Sequence, residues 1–265
     1  MNRSVAFIDI LGFRHLVENT PADELGATFV RVKEIVLDYF NRPPLPGRKL
    51  LRLFPEHTAD APWCIAHVFS DSIILISRTD SKNDCLKLLV FALRVMQALI
   101  AQGFPVRGAV AYGEMFVDLE RRLFLGRALT TAYELEERQD WIGGAVDPNV
   151  DIAFPDLFDT SAHALILNAL FPHYEVPLKS GKVCQYRTLN WRWNLVVERG
   201  TRSLFSDSSD WEVHRKVLNA LKYAQHVRSK RLAYPAEPDS VPVEVESHFV
   251  GAGPPPPKFE HGDEF

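Results

Sequence analysis

The chain opens on an apolar run, "VAFIDILGF", interrupted by a single carboxylate, Asp9. Its β-branched and aromatic content predicts a buried strand that Gly12 closes. In "TPADEL", Thr20 is a helix N-cap, Pro21 the first helical position, and acids fill the first turn. Leu25, Phe29, Val32, Val36 and Phe40 follow at helical spacing, so a long amphipathic helix is predicted. The proline-rich "NRPPLPGRK" (41–49) breaks the pattern and opens a connection, reaching to about Pro62, that reads as a surface insertion. "WCIAHVF" and "SIILIS" are apolar runs separated by Ser70 and Asp71, which predicts a hairpin with Asp71 at or beside its tip. A second helix begins at Ser81-x-x-Asp84, carries Leu88, Ala92, Val95 and Leu99 on one stripe, and stops at Gly103.

"PVRGAVAYGEMFV" predicts a strand in which Gly108 and Gly113 mark close backbone approach or a bulge. A short strand around "RLFL" and a helix over "GRALTTAYELEERQ" follow. A hairpin thus breaks strict β-α alternation, which argues for an α+β fold with helices packed on a largely antiparallel sheet. Beyond residue 145 the pattern weakens: "SAHALILNALF" reads as a helix, "VCQYRTLNWRWNLVV" as one or two strands, and "SDWEVHRKVLNALKYAQHVRSKRL" as a basic-ended helix. The closing "GAGPPPPKFEHGDEF" is too poor in core residues to pack and reads as an extended tail. The expected organisation is a core over 1–145, its α/β completion over 146–235, and a tail over 236–265.

With 265 residues and 46% hydrophobic content, the chain can bury a full core. A formal net charge of −4 offers no general attraction for nucleic acid or an anionic membrane surface. The three cysteines, Cys64, Cys85 and Cys184, are odd in number and widely spaced, which argues against a disulfide framework or zinc knuckle and fits a reducing cytoplasm. No signal-peptide pattern or membrane-length apolar run is present, so a cytoplasmic protein is expected.

Asp9 and Asp71 stand out because an ionised carboxylate among apolar residues must be paired, hydrogen-bonded or bound to a cation. If their strands are neighbours, cross-strand side chains lie about 5 Å apart. Two carboxylates so placed suit a pair of divalent metals about 4 Å apart. Hard oxygen ligands favour Mg²⁺ or Mn²⁺ and leave positions open for phosphate. The plainer alternative has Asp9 capping the helix after Gly12 and Asp71 serving the turn. The backbone of Leu11, Gly12 and Phe13, where strand passes to helix, offers N–H groups to an anion, and Arg14 adds a charged contact or is a solvated first-turn arginine.

Taken in order, "FIDILGF", "VFSDSIIL", "RGAVAYGE" and "LGRALTTAYELEER" resemble the catalytic domain of class III nucleotidyl cyclases over residues 4 to 140. The resemblance implies a ferredoxin-like β-α-β-β-α-β core and a reaction in which a nucleoside triphosphate's 3′-hydroxyl attacks its own α-phosphorus and releases pyrophosphate. It implies two metals, Mn²⁺ or Mg²⁺, held by Asp9, Asp71 and the backbone carbonyl of Ile10, with Gly12, Phe13 and Arg14 on the terminal phosphates. It further implies a symmetric homodimer with two sites built across the subunits.

The departures are specific. Where the family presents an asparagine and, four residues on, an arginine for the transition state, this chain has Thr130 and Glu134. A carboxylate cannot replace that arginine, so another cation is required, with Arg127, Arg107 and Arg138 as candidates and Arg127 preferred. Where adenylate cyclases read the base with lysine and aspartate, this chain has His67 and Leu123. That loss argues against purine selectivity. Stand-alone domains of this size resemble the pyrimidine cyclases of the bacterial Pycsar antiphage system, which implies UTP as substrate, cyclic UMP as product and a separate effector protein that responds to it. CTP or a purine triphosphate as substrate, a degenerate nucleotide-binding module, and a two-metal phosphohydrolase are the competing readings.

Overall fold

A computed structural model describes residues 1–41, 64–158, 164–191 and 211–230. The apolar opening run forms β1 (Asn2–Ile10), followed by a short helix α1 (Phe13–Asn19) and a long one, α2 (Ala22–Asn41). Pro21 contributes the first helical carbonyl of α2, accepting from the Leu25 N–H at 2.9 Å. The expected hairpin is β2 (Cys64–Phe69) and β3 (Ser72–Ser77), with Ser70 and Asp71 as its turn and Ser70 at φ 54°. Helix α3 (Lys82–Ala101) starts where its cap predicts: the Ser81 hydroxyl accepts from the Asp84 N–H.

Strand β4 (Val106–Glu114) leads to a small separate hairpin, β5 (Phe116–Asp118) and β6 (Leu123–Leu125), and then to helix α4 (Arg127–Arg138). The chain continues through β7 (Gly143–Val146), α5 (Pro148–Ala153), α6 (Ala164–Leu170), β8 (His173–Pro177), β9 (Val183–Leu189) and α7 (Trp211–Ser229). The proline-rich insertion, the segment after Trp191 and the proposed tail lie outside the described residues.

Among the described residues, seven strands share one sheet in the order β2-β3-β1-β4-β7-β9-β8. Every pairing is antiparallel except β4 with β7, which are joined by a crossover through α4. The first four strands, read as β4-β1-β3-β2 with α2 and α3 as connections, are the expected β-α-β-β-α-β core. The α+β class with a largely antiparallel sheet is therefore as the pattern predicts.

Side chains alternate across the sheet. Ala6, Ile8 and Ile10 of β1 point into the main core with α2 and α3, and α3 is buried along most of its length. The opposite face carries Val5 and Ile76, which pack on Ala128 of α4 and Met115. Phe7 meets Tyr133 of α4 edge-on at 5.4 Å. By alternation Asp9 belongs to this second face, the one that α4 covers.

Gly126 sits at the hinge between β6 and α4 with φ 154°, where a Cβ would lie 2.3 Å from the Glu114 carbonyl oxygen. Only glycine fits there.

Candidate active site

Asp9 lies opposite Ser72 on one side and Arg107 on the other, at the end of β1. The Ile10 N–H donates to the Asp71 carbonyl at 3.1 Å, which ties the hairpin turn to the residue after Asp9. The two aspartates singled out by their apolar flanks are thus neighbours. Burial pushes the Asp9 carboxyl up to about 7, with the charges of Glu136 and Asp71 adding to the rise and Arg107 and the Ser72 hydroxyl opposing it. The carboxylate is half-buried and repelled by two others.

Glu136 completes the local charge pattern and was not among the residues the sequence singled out. It is buried and bonded to Arg107, with Nε donating to Oε1 at 2.5 Å. Burial raises its carboxyl and Arg107 opposes the rise. Arg107 also donates Nη1 to the Gln139 carbonyl at 2.9 Å. With Nε and Nη1 so engaged and the side chain buried, Arg107 is held by the protein and is poorly placed as a cation for an incoming phosphate. A signal for Glu136 existed: Ala128, Ala132 and Leu135 mark the inward face of α4, and Glu136 follows directly on it.

The phosphate-side residues are mixed. Gly12 adopts φ 82° and precedes α1 without a side-chain cap, and Arg14 is exposed. The Leu11 N–H, expected to be available to an anion, instead donates to the Pro105 carbonyl at 2.8 Å. Strand β4 begins there, so the unpaired first-turn N–H groups start later, at the helix itself. The Phe13 ring packs edge-on against Phe29 at 5.0 Å.

Arg127, Thr130, His67 and Leu123 do not converge on Asp9 within the chain. Arg127 and Glu136 are nine residues apart on α4, about 13 Å at the rise of a helix. Thr130 is exposed, its hydroxyl donating to the Gly126 carbonyl at 3.3 Å. Arg138, the third candidate cation, donates Nε to the Glu134 carbonyl. His67 shares the α4-side face of the sheet and packs at 5.4 Å against Phe124, while Leu123 lies on the β5–β6 hairpin and is exposed.

No group of three or more His, Cys, Asp or Glu is placed to hold an ion among the described residues. The residues that could hold a cation here are the two carboxylates, Asp9 and Asp71, with the Ile10 carbonyl beside them, and the remaining ligands would have to come from phosphate or water. That donor set is hard, sparse and anionic, as Mg²⁺ and Mn²⁺ sites on nucleotides require. Burial raises Asp9 most, and the repulsion from Glu136 and Asp71 that adds to the rise is of the kind a divalent cation would relieve. No helix is long and apolar enough to cross a membrane among the described residues.

No family model matches the chain and no curated protein matches it. Solved structures do resemble it. The catalytic core of a rhodopsin-guanylyl cyclase with converted specificity, in complex with ATPαS, is 12% identical, with 71% of this chain and 95% of that one covered at a TM-score of 0.46. The monomeric guanylyl cyclase domain of the RhoGC fusion protein from the aquatic fungus Blastocladiella emersonii is 12% identical over 71% and 94%, with a TM-score of 0.45. The adenylyl cyclase CyaB from P. aeruginosa is 15% identical over 71% and 94%, with a TM-score of 0.41. At these identities and TM-scores the likeness assigns neither substrate nor activity to this chain.

Proposed function

We propose that this chain is a nucleotidyl cyclase that converts UTP into cyclic UMP and pyrophosphate, as a second-messenger synthase in antiphage defence. The observation that carries the reading is the meeting of Asp9 and Asp71, distant in sequence, where β1 abuts the β2–β3 turn. The four motifs that resemble class III cyclases, standing in order along the same strands and helices, support it.

Asp9, Asp71 and the Ile10 carbonyl would hold two Mn²⁺ or Mg²⁺ ions, which supply positive charge to the triphosphate and to the attacking oxygen. Gly12 and Phe13 offer backbone, and Arg14 a guanidinium, to the terminal phosphates. The 3′-oxygen forms a bond to the α-phosphorus as the bond to the bridging oxygen breaks. Pyrophosphate leaves with that electron pair, and the hydroxyl proton passes to water.

Arg127, about 13 Å along α4 from Glu136, and Thr130, exposed on the same helix, belong in this reading to the site of a second copy. So do His67 and Leu123. Exposed apolar residues, Phe69 (71%), Phe116, Leu125 and Tyr133, support such a homodimer. His67 and Leu123 lack the paired polar groups a purine edge needs, which supports a pyrimidine. The product then acts on a separate effector protein.

Thr130 and Glu134, in place of an amide and a cation, favour one other reading: a module that binds nucleotide without turning it over. Incubating the protein with Mn²⁺ and each of the four triphosphates, with the products identified by mass spectrometry, decides between them. One dominant 3′,5′-cyclic nucleotide, lost in Asp9→Ala and Asp71→Ala with the circular dichroism unchanged, is expected. Binding with no cyclic product under any metal supports the inert module, free phosphate in place of pyrophosphate a hydrolase, and robust cyclic AMP or GMP a purine cyclase.

A further inference from the structure

Asp9 and Arg107 face each other across the β1–β4 ladder, where opposite charges ordinarily pair. Here they do not. Arg107 turns to α4 instead, giving Nε to Glu136 and Nη1 to the Gln139 carbonyl. The receiving end is itself fixed. The Gln139 side chain donates to the Gly108 and Leu135 carbonyls, at 2.9 and 3.0 Å, and accepts from the Trp141 indole at 2.7 Å. Arg107 and Glu136 are 6% and 2% exposed, so neither exchanges its partner for water. Among the described residues Asp9 forms no ion pair.

We propose that Glu136 is a positioning residue for the candidate metal centre: by holding Arg107 against α4, it keeps the guanidinium off Asp9 and leaves that carboxylate for a divalent cation. The inference rests on the reading of Asp9 and Asp71 as metal ligands. Its physics is competition. A buried guanidinium deprived of its carboxylate takes the nearest other one, and Asp9 is one strand spacing away, about 5 Å. Once paired, the oxygens of Asp9 are committed to N–H donors and a cation must displace them. Glu136 is not a third ligand in this arrangement, because its Oε1 is already bonded to Arg107 and no group of three ligating side chains is found among the described residues.

The test is Mn²⁺ affinity of the full chain by isothermal titration calorimetry, without nucleotide, in the wild type, Glu136→Gln and the double variant Arg107→Gln/Glu136→Gln. Glu136→Gln is expected to bind Mn²⁺ on the order of tenfold more weakly. The double variant, with no guanidinium to divert, is expected to return to roughly the wild-type affinity. A purely structural ion pair would shift the melting temperature of both variants and leave the affinity of the folded protein alone. Unchanged Mn²⁺ affinity in Glu136→Gln, or a double variant as weak as the single, overturns the proposal. If Glu136→Gln does not fold, Glu136→Asp, which keeps the charge but shortens its reach, must weaken Mn²⁺ binding in the same sense, and equal affinity overturns the proposal. Wild-type protein that fails to bind Mn²⁺, or binds it equally well as Asp9→Ala, removes the metal-site reading and this inference with it, whereas the preceding outcomes leave that reading standing.

Discussion

Asp9→Asn is expected to stabilise the metal-free protein above neutral pH while abolishing its response to metal. The folded carboxyl titrates at about 7, against 3.8 without the protein environment. Because the folded value is the higher one, the fold binds the proton more tightly than the unfolded chain does. Its contribution is therefore favourable below pH 3.8 and is lost as the pH climbs to 7. A shift of three units corresponds to about 4 kcal/mol, and solvent screening of a half-buried group reduces that to about 2 kcal/mol. Asparagine keeps the shape and removes the charge. In EDTA at pH 8, Asp9→Asn should then exceed the wild type by about 2 kcal/mol, a rise of about 4 to 8 °C in melting temperature. At pH 5 the advantage should fall below about 1 kcal/mol. Adding Mn²⁺ should raise the melting temperature of the wild type and leave the variant unmoved, because a ligand stabilises only the state that binds it. Melting curves recorded between pH 5 and 8 with and without Mn²⁺ test all of this. A variant that tracks the wild type at every pH, or is the less stable at pH 8, would show that the carboxylate already has its charge satisfied inside the fold.

Gly126→Ala places a Cβ 2.3 Å from the Glu114 carbonyl and 2.7 Å from the Met115 Cα, against backbone that cannot yield. A loss above about 3 kcal/mol in urea denaturation is expected, with an intact midpoint refuting it. Tyr223→Phe removes a buried hydroxyl 3.0 Å from the Thr188 hydroxyl, which keeps its bond to the Pro172 carbonyl. The hydroxyl also reaches the Leu189 carbonyl at 3.5 Å, a long bond; the cost should be about 1 kcal/mol, and a value above 3 would refute the reading that these bonds are worth no more than ordinary ones. Phe116→Glu/Leu125→Glu charges the exposed outer face of the β5–β6 hairpin. Light scattering should report a monomer without cyclase activity and with an unchanged melting temperature, and a dimer that survives the change would put the subunit contact elsewhere.

Much of this was legible in the one-dimensional pattern, and the reasons differ from element to element. The β2–β3 hairpin could be read because two apolar runs flank a two-residue polar break, and α3 because its cap, stripe and terminal glycine agree. Asp9 and Asp71 could be read because a charge among apolar residues is costly wherever the strand ends up. Strand β7 could not. "GGAV" has a single strand-forming side chain, Val146, and its glycines leave room for neighbours: a Cβ on Gly143 would meet the Trp141 ring at 2.8 Å, and one on Gly144 the Leu189 side chain at the same distance.

Arg107 shows the other kind of limit. Periodicity tells which residues of β4 and α4 face inward, but the fate of a guanidinium depends on which helix lies over which row of the sheet. From the sequence alone it is one of three arginines that could replace the missing transition-state cation. Covered by the last turn of α4, it is a closed pair with Glu136, and the same helix carries Arg127 about 13 Å away at its other end. One covering element thus decides two things together: where the guanidinium of Arg107 is held, and which carboxylate is left without an ion pair.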